Sequence, residues 1–180
     1  MQPRGPLMVE HRLIMRMISL IDQEVKRIEK SNIVDQSFVD KTVEFLRSYA
    51  DRTHHGKEEN ILFRDLAKKK LSDIDNSIMN ELVQEHAAGR ATTAALVAAA
   101  ETCRNGDASG LPVIKECLRK FVDFYPRHIE KEDKIFFPSS MAYFSGRSTP
   151  LNCSSASKKT LVSRSPIGIP IRCKATPKRS

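Results

Sequence analysis

The sequence lacks tryptophan, has little glycine and contains no long run of apolar residues. Only seven of its 180 residues are glycine, and aromatic residues make up 6% of the chain. Scarce glycine together with abundant leucine, isoleucine, alanine, lysine and glutamate favours helices over sheet. No apolar run approaches the length that spans a bilayer, and no basic start followed by an apolar region marks a signal peptide. We therefore expect a soluble, cytoplasmic protein without a membrane partner.

Cysteine is also sparse, with four residues and no CxxC pair among them. Neither a disulfide framework nor a zinc ribbon is therefore indicated. Cys117 falls on an apolar helical face, where a reduced thiol packs as a small hydrophobic side chain. This use of cysteine is typical of a reducing compartment.

The net charge of +8 comes from one end of the chain. Residues 146–180 contain eight basic and no acidic side chains, whereas the 22 remaining basic groups balance the 22 acidic groups of residues 1–145. The basic segment is rich in serine and threonine and holds four prolines, a composition typical of disorder. We expect residues 1–145 to form one domain and residues 146–180 to form a disordered basic tail. Because the tail has no aromatic residue to stack on bases, nucleic acid is expected as a partner only through its charge.

Residues 1–145 contain four segments in which apolar residues recur at helical spacing. Turn and capping residues separate these segments at 31–35, 68–73 and 105–110. Four helices with short connections predict an all-α fold, an up-down-up-down four-helix bundle. The predicted inward faces are His11, Ile14, Ile18, Ile21, Val25 and Ile28 in the first helix, Val43, Leu46, Ala50, His54, Glu58 and Ile61 in the second, Ile78, Leu82, His86, Gly89, Thr93 and Leu96 in the third, and Ile114, Cys117, Phe121, His128, Glu132 and Ile135 in the fourth.

An internal repeat indicates which polar residues of the second and fourth helices face inward. The stretch HHGKEENILF at 54–63 aligns without gaps to HIEKEDKIFF at 128–137. The repeat pairs His54 with His128, whereas His55 is paired with an isoleucine. His55 also lies about 100° around an α-helix from its neighbour. We therefore expect His55 on the flank of the helix or in an outer layer around the site.

The repeat extends to the first and third helices, where the dipeptide Glu-His recurs at 10–11 and 85–86. The midpoints between successive motifs fall inside the three predicted turns, so the motifs lie at one depth of the bundle. In each HxxxE pair the two side chains are about 6 Å apart along the helix and can reach one point beside it. The candidate metal ligands are His11, His54, Glu58, His86, His128 and Glu132.

The chemistry of these six side chains indicates a metal centre. Two buried carboxylates without a counter-charge would cost several kcal/mol, and a metal ion supplies that charge. Imidazole with carboxylate suits iron, zinc or manganese and argues against calcium or copper(I). Six ligands exceed the need of one tetrahedral zinc ion. Two six-coordinate ions that share both glutamates would use all six, with two histidines on each ion.

The two EH dipeptides, HHGKEENILF and HIEKEDKIFFP together resemble the hemerythrin-like, or HHE cation-binding, domain family over roughly residues 7–144. This resemblance implies a four-helix bundle with a non-haem di-iron centre. It further implies that Glu58 and Glu132 bridge the two iron ions and that oxygen or a related diatomic molecule is the partner.

One ligand of the oxygen carriers in that family is missing. Those proteins have a fifth histidine, four residues from another histidine in the third helix. Here the positions four residues from His86 hold Leu82 and Arg90. The resemblance therefore leaves one iron with an extra open position, which weakens the case for simple reversible oxygen carriage and makes single-metal or mixed-metal occupancy an alternative.

Three function hypotheses follow from these observations. The first is a non-catalytic di-iron protein that binds oxygen or a related diatomic for sensing, storage or delivery. The second is an enzyme: a di-iron oxidase, a peroxidase or a nitric-oxide-processing enzyme. The third is iron storage or iron sensing. Four neutral histidines against two carboxylates favour binding, because oxygen-activating bundles are rich in carboxylates, whereas the open position favours an enzyme.

Overall fold

The computed structural model describes residues 4–145, which fold into four long helices packed as an antiparallel bundle. The first helix is Arg4–Ser31 and the third is Asp73–Arg104. The second and fourth helices each combine α-helix with the wider π-helix. The second consists of Gln36–Phe45 (α), Leu46–His55 (π), Glu58–Phe63 (π) and Arg64–Leu66 (α), and the fourth consists of Gly110–Lys131 (α), Glu132–Phe136 (π), Phe137–Ser140 (α) and Met141–Phe144 (3₁₀). The prediction of an all-α four-helix bundle is confirmed.

Short connections with turn-forming residues join the helices, as the sequence predicts. Asp35 precedes the second helix, and its carboxylate accepts a hydrogen bond of 3.1 Å from a backbone N–H of the first turn. Ser72 caps the third helix in the same way. Asn32 and Gly106 adopt φ angles of 53° and 85°, a left-handed region that asparagine and glycine enter at low cost. Consecutive helices therefore reverse direction within a few residues.

Two apolar layers of the bundle lie on either side of one polar level. On the first helix, Leu7 belongs to the smaller layer and Ile14 to the larger, and His11 lies between them. Each fully buried Leu, Ile or Phe contributes roughly 1.5–3 kcal/mol, so the two layers stabilise a polar cluster enclosed between them. The smaller layer consists of Leu7, Leu62, Phe63, Leu66, Met79, Leu82, Phe136 and Phe137.

Two predicted core positions are wrong, both just beyond the glutamate of an HxxxE pair. Ile61 and Ile135 are 55% and 53% exposed, whereas Leu62 and Phe136 are buried in the smaller layer. The reason is the π-helix that begins at each glutamate. In a π-helix the hydrogen bonds join residues i and i+5, so each turn contains about one residue more than a turn of α-helix. The residues that face the core therefore shift by one position along the sequence. The α-helical period used for the prediction does not hold beyond this point.

The predicted boundary near residue 145 and the predicted disordered tail at 146–180 lie outside the residues that the structure describes. Within the described part of the chain, no helix combines the length and the apolar character that crossing a bilayer requires.

Candidate metal centre

The six side chains predicted as metal ligands meet at the polar level between the two apolar layers. His11 comes from the first helix and His86 from the third, while the second and fourth helices each contribute one histidine and one glutamate. All six side chains are at most 2% exposed. The four helices therefore bring four imidazoles and two carboxyl groups to one enclosed place.

Glu58 lies between two pairs of histidines. Its Oε1 faces Nε2 of His54 at 3.4 Å and Nε2 of His11 at 3.9 Å. Its Oε2 faces Nε2 of His86 at 3.4 Å. Each oxygen of this carboxyl group thus belongs to a different histidine pair.

Glu132 has the corresponding arrangement from the opposite helix. Its Oε2 faces Nε2 of His11 at 3.1 Å, and its Oε1 faces Nε2 of His128 at 3.4 Å and Nε2 of His86 at 3.7 Å. Two ligand atoms bound at right angles to one ion, each at about 2.1 Å, lie about 3 Å apart. The contacts between these nitrogens and oxygens are close to that separation. The two oxygens of each carboxyl group therefore lie near different histidines at distances that suit shared metal ligands.

The potential ligand atoms form two neighbouring groups. Within each group they lie within 4.8 Å of one another. Many of these atoms, including both carboxyl oxygens of Glu58 and of Glu132, are buried without a hydrogen-bond partner among residues 4–145. Buried polar atoms are costly when they lack a partner, and a metal ion at each group would bind them. One group is His11, His54, Glu58 and Glu132, and the other is His55, His86 and His128.

His55 is buried beside this cluster, so the first of its two expected placements, the helix flank, is wrong; the second is an outer layer around the site. It is 3% exposed, and its ring stacks on that of His86 with the centroids 3.9 Å apart. Neither ring nitrogen of His55 makes a hydrogen bond within the described residues. All five histidines of the chain therefore meet at the centre. The sequence does carry a signal for this placement, because Ile129, the counterpart of His55 in the repeat, is also buried.

Each of the four other histidines donates a hydrogen bond from Nδ1 to an acidic side chain. With its hydrogen on Nδ1, an imidazole directs the bare Nε2 toward the centre, which is the form that binds a metal. The acidic partner also fixes the orientation of the ring. The pairs are His11 with Asp133 at 2.9 Å, His54 with Glu10 at 3.0 Å, His86 with Glu59 at 2.7 Å and His128 with Glu85 at 2.8 Å.

Two lysines of the repeat hold two of these acidic side chains. Lys57 binds Glu10, and Lys131 binds Glu85 at 2.6 Å. Burial alone would raise the pKa of Glu85, but hydrogen bonds from His128 and Lys131 lower it overall. Lys131 thus helps to keep Glu85, the acidic partner of His128, ionised. The partners of both lysines are more than 40 residues away in the sequence, so these ion pairs depend on how the helices pack.

Phenylalanine rings support the centre with the same two-fold pattern. Phe137 stacks on His11 with the centroids 5.8 Å apart, and Phe63 stacks on His86 at 6.0 Å. The repeat equates these two phenylalanines with each other. The last residue of each repeated ten-residue stretch therefore packs against a histidine of another helix. The imidazole ring of that histidine is held between this apolar contact and its acidic partner.

Burial determines the protonation of the metal-free cluster. It raises the pKa of Glu58 well above its usual value, reinforced by the charge of Glu132, and it raises the pKa of Glu132 in the same direction, reinforced by Asp133. Burial lowers the pKa of His54 to about 2 and also lowers the pKa of His86. The metal-free site thus favours protonated carboxyl groups beside neutral imidazoles. A cation would favour the ionised carboxylates instead.

This constellation on four antiparallel helices has a counterpart among known proteins. Residues 5–139 match the family model described as the hemerythrin HHE cation binding domain. The match covers most of the chain, which therefore belongs to this family of cation-binding domains. No curated protein and no solved structure gives a significant match.

Proposed function

We propose that this domain holds two metal ions, iron in the first place, with zinc or manganese as chemically suitable alternatives. One ion would be held by His11 and His54. The other would be held by His86 and His128, with His55 as a third nitrogen ligand. Glu58 and Glu132 would each give one oxygen to each of the two ions, so both halves of the centre would share them.

This proposal rests on the position of the two carboxyl groups between the two pairs of histidines. Each glutamate directs one oxygen toward one histidine pair and the other oxygen toward the second pair, at 3.1 to 3.9 Å. A single ion would leave one side of both carboxyl groups without a partner. Two ions provide a partner for every buried oxygen and for the nitrogens opposite them.

His55 takes the role that the sequence leaves open in the third helix. With it, one half of the centre has three imidazoles and the other has two. This division makes the two ions inequivalent. The third helix still lacks the fifth histidine, and under this proposal the second helix would supply it.

We further propose that the protein binds oxygen or a related diatomic molecule for sensing, storage or delivery. When bound, ferrous iron would supply the reversible electron donation that such a ligand requires. The chain's own residues orient the imidazoles, exclude bulk water and balance the charge. Five neutral imidazoles against two carboxyl groups support binding over oxidative catalysis, because oxygen-activating bundles are richer in carboxylates.

The test is metal analysis of the full-length protein with absorption spectra recorded before and after oxygen is admitted. We expect two metal ions per chain and a reversible spectral change on oxygenation. Irreversible oxidation with turnover of an added reductant would favour a di-iron oxidase, a peroxidase or a nitric-oxide-processing enzyme instead. Fewer than one ion per chain after iron loading would contradict the proposal.

Iron sensing is a second candidate, supported by the burial of both carboxyl groups at the junction of all four helices. Because these groups need a counter-charge, metal loss would weaken the packing of the whole bundle. A sensor would show a large change in protease resistance across a narrow range of free iron. A carrier or store would show little change over that range.

A further inference from the structure

We propose that small ligands reach the metal centre through a cleft between the second, third and fourth helices, beside His55. This inference rests on the proposed function. The cleft has a volume of about 240 Å³, which is room for a few molecules of two or three atoms. Its lining residues are Leu46, Arg47, Asp51, His55, Gly89, Arg90, Thr93, Ala94 and Tyr125.

The inner end of the cleft touches the centre itself. His55 and Tyr125 are the deeply buried polar side chains of its lining, each 3% exposed. The ring of His55 stacks on His86, its Nδ1 lies 3.6 Å from Oδ1 of Asp51 without forming a hydrogen bond, and its Nε2 has no hydrogen-bond partner within residues 4–145. A molecule at this end therefore meets the histidine cluster, with no apolar layer between them.

The outer end is bordered by an ion pair and by small side chains. Arg90 of the third helix binds Asp51 of the second through Nε at 2.7 Å, and its second nitrogen binds Glu59 at 2.7 Å. Between these groups the third helix presents Gly89 and Ala94, which leave the space open. The volume of about 240 Å³ limits the size of what can enter the cleft. This favours a neutral diatomic molecule or a small anion such as azide.

A second cleft lies on the other side of Gly89, between the third and fourth helices, with a volume of about 410 Å³. It reaches the outer edge of His128, where Nδ1 already donates a hydrogen bond to Glu85 at 2.8 Å. Phe124 covers one face of the same ring, with the centroids 4.9 Å apart. In this larger cleft the outer nitrogen of His128 is hydrogen-bonded and one face of its ring is covered. His55 has only a 3.6 Å contact between its Nδ1 and Asp51, so the cleft beside His55 is the better route.

The third helix offers three exposed alanines for a matched test. Ala94 lines the cleft beside His55, Ala88 lines the larger cleft, and Ala91 lines neither. Each is changed to leucine, which is a good helix former. Azide and nitric oxide are mixed rapidly with the iron-loaded proteins, and the rate of the absorbance change is measured. Ala94→Leu should slow association about tenfold, equivalent to about 1.4 kcal/mol on the barrier, while Ala88→Leu and Ala91→Leu match the wild type.

A second measurement does not depend on iron. Dissolved oxygen is paramagnetic, so in the zinc-loaded protein it should broaden the ring resonances of His55 and Tyr125, and Ala94→Leu should reduce this broadening. Ala94→Met serves as a substitute if the leucine variant folds poorly. Equal rates in all variants, equal slowing in all three, or slowing only in Ala88→Leu would each overturn the proposed route. If the wild-type protein holds no metal, or gives no response to azide or nitric oxide, it is the proposed function that fails.

Discussion

Replacing His55 with alanine should remove one of the two metal ions. The change takes away one of three nitrogens from the half of the centre formed with His86 and His128. When a residue that only hydrogen-bonds to a metal ligand is lost, metal binding weakens about 10- to 100-fold. Loss of a ligand should reach at least the upper end of that range, about 100-fold or about 2.8 kcal/mol. The other half of the centre keeps its ligands and its ion.

The same change should appear in thermal stability. An ion present at 1,000 times its dissociation constant stabilises the folded protein by about 4.1 kcal/mol, and a 100-fold weaker ion by about 1.4 kcal/mol. For a chain of this length, the difference corresponds to a fall of about 5–10 °C in the melting temperature of the metal-loaded protein. The metal-free variant should differ less from metal-free wild type, because only ring packing is lost.

His55→Phe is the control that separates ligation from packing. A phenylalanine ring can stack on His86 but offers no nitrogen. Metal content by elemental analysis and melting curves with and without zinc are measured for both variants. At a free metal concentration about ten times the wild-type dissociation constant, a 100-fold weaker site is mostly empty, so we expect about one ion per chain in both variants and two in the wild type. The phenylalanine variant should be more stable than the alanine variant when metal-free. Two ions in either variant would refute the assignment of His55 as a ligand.

Four further predictions concern the metal, the pH, an acidic partner and the tail. Metal removal should lower the free energy of unfolding by several kcal/mol, because it leaves two buried carboxyl groups without a counter-charge; coincident melting curves of metal-free and zinc-loaded protein would contradict this. Burial raises the pKa of Glu58 and Glu132, so the folded metal-free protein keeps protons that the unfolded chain releases above about pH 4.5. The stability of the metal-free protein should therefore fall as the pH rises, and the neutral histidines oppose this trend only below pH 6.5. Calorimetry of zinc binding at neutral pH should show proton release, seen as a heat of binding that depends on the buffer. If the heat does not depend on the buffer, the raised pKa values are contradicted. Glu85→Gln should weaken metal binding about 10- to 100-fold, whereas Glu81→Gln, at a 56% exposed site, should change it little, and equal effects would rule out an orienting role. Deletion of residues 146–180 should leave metal content and helical circular dichroism unchanged and abolish salt-sensitive binding to polyanions; an emptied site would move the domain boundary into the deleted segment.

The helices and the level of the site could be predicted because both depend on local spacing. On the first helix, all six residues of the predicted inward face are buried. A helical period of 3.6 residues determines which side chains share a face, and short turns determine that neighbouring helices are antiparallel. The common depth of the ligands in the duplicated HxxxE motif can therefore be predicted without knowing which residues of different helices are in contact.

His55 was misplaced because an α-helical geometry was assumed where the backbone is a π-helix. In Leu46–His55 the turns are wider than in an α-helix, and two successive histidines can both turn toward the interior. The same geometry exposes Ile61. A π-helix has no clear signature in a single sequence, since it reflects the demands of the site more than the propensity of its residues.

The acidic partners of the histidines could not be assigned from the sequence for a different reason. Asp133 and His11 are 122 residues apart, and Glu59 and His86 are 27 apart. Such pairs depend on how the helices pack, which spacing along one helix does not determine. The adjacent acids in Glu58-Glu59 and Glu132-Asp133 do mark the positions, but only the packing shows which histidine each one meets.

The inequivalence of the two halves of the centre comes from one difference between the copies of the repeat. His55 adds a third imidazole to one half, while its counterpart Ile129 adds an apolar side chain to the larger layer. Neutral imidazoles accept a cation without releasing a proton, whereas the buried carboxyl groups of Glu58 and Glu132 must first lose theirs. In the proposed two-ion site, the half with three imidazoles would hold the first ion through neutral nitrogens, and that ion's charge would favour ionisation of both carboxyl groups before the second ion binds. The difference at His55 would thus make the two proposed metal positions inequivalent, whereas identical copies of the repeat would give two equal ones.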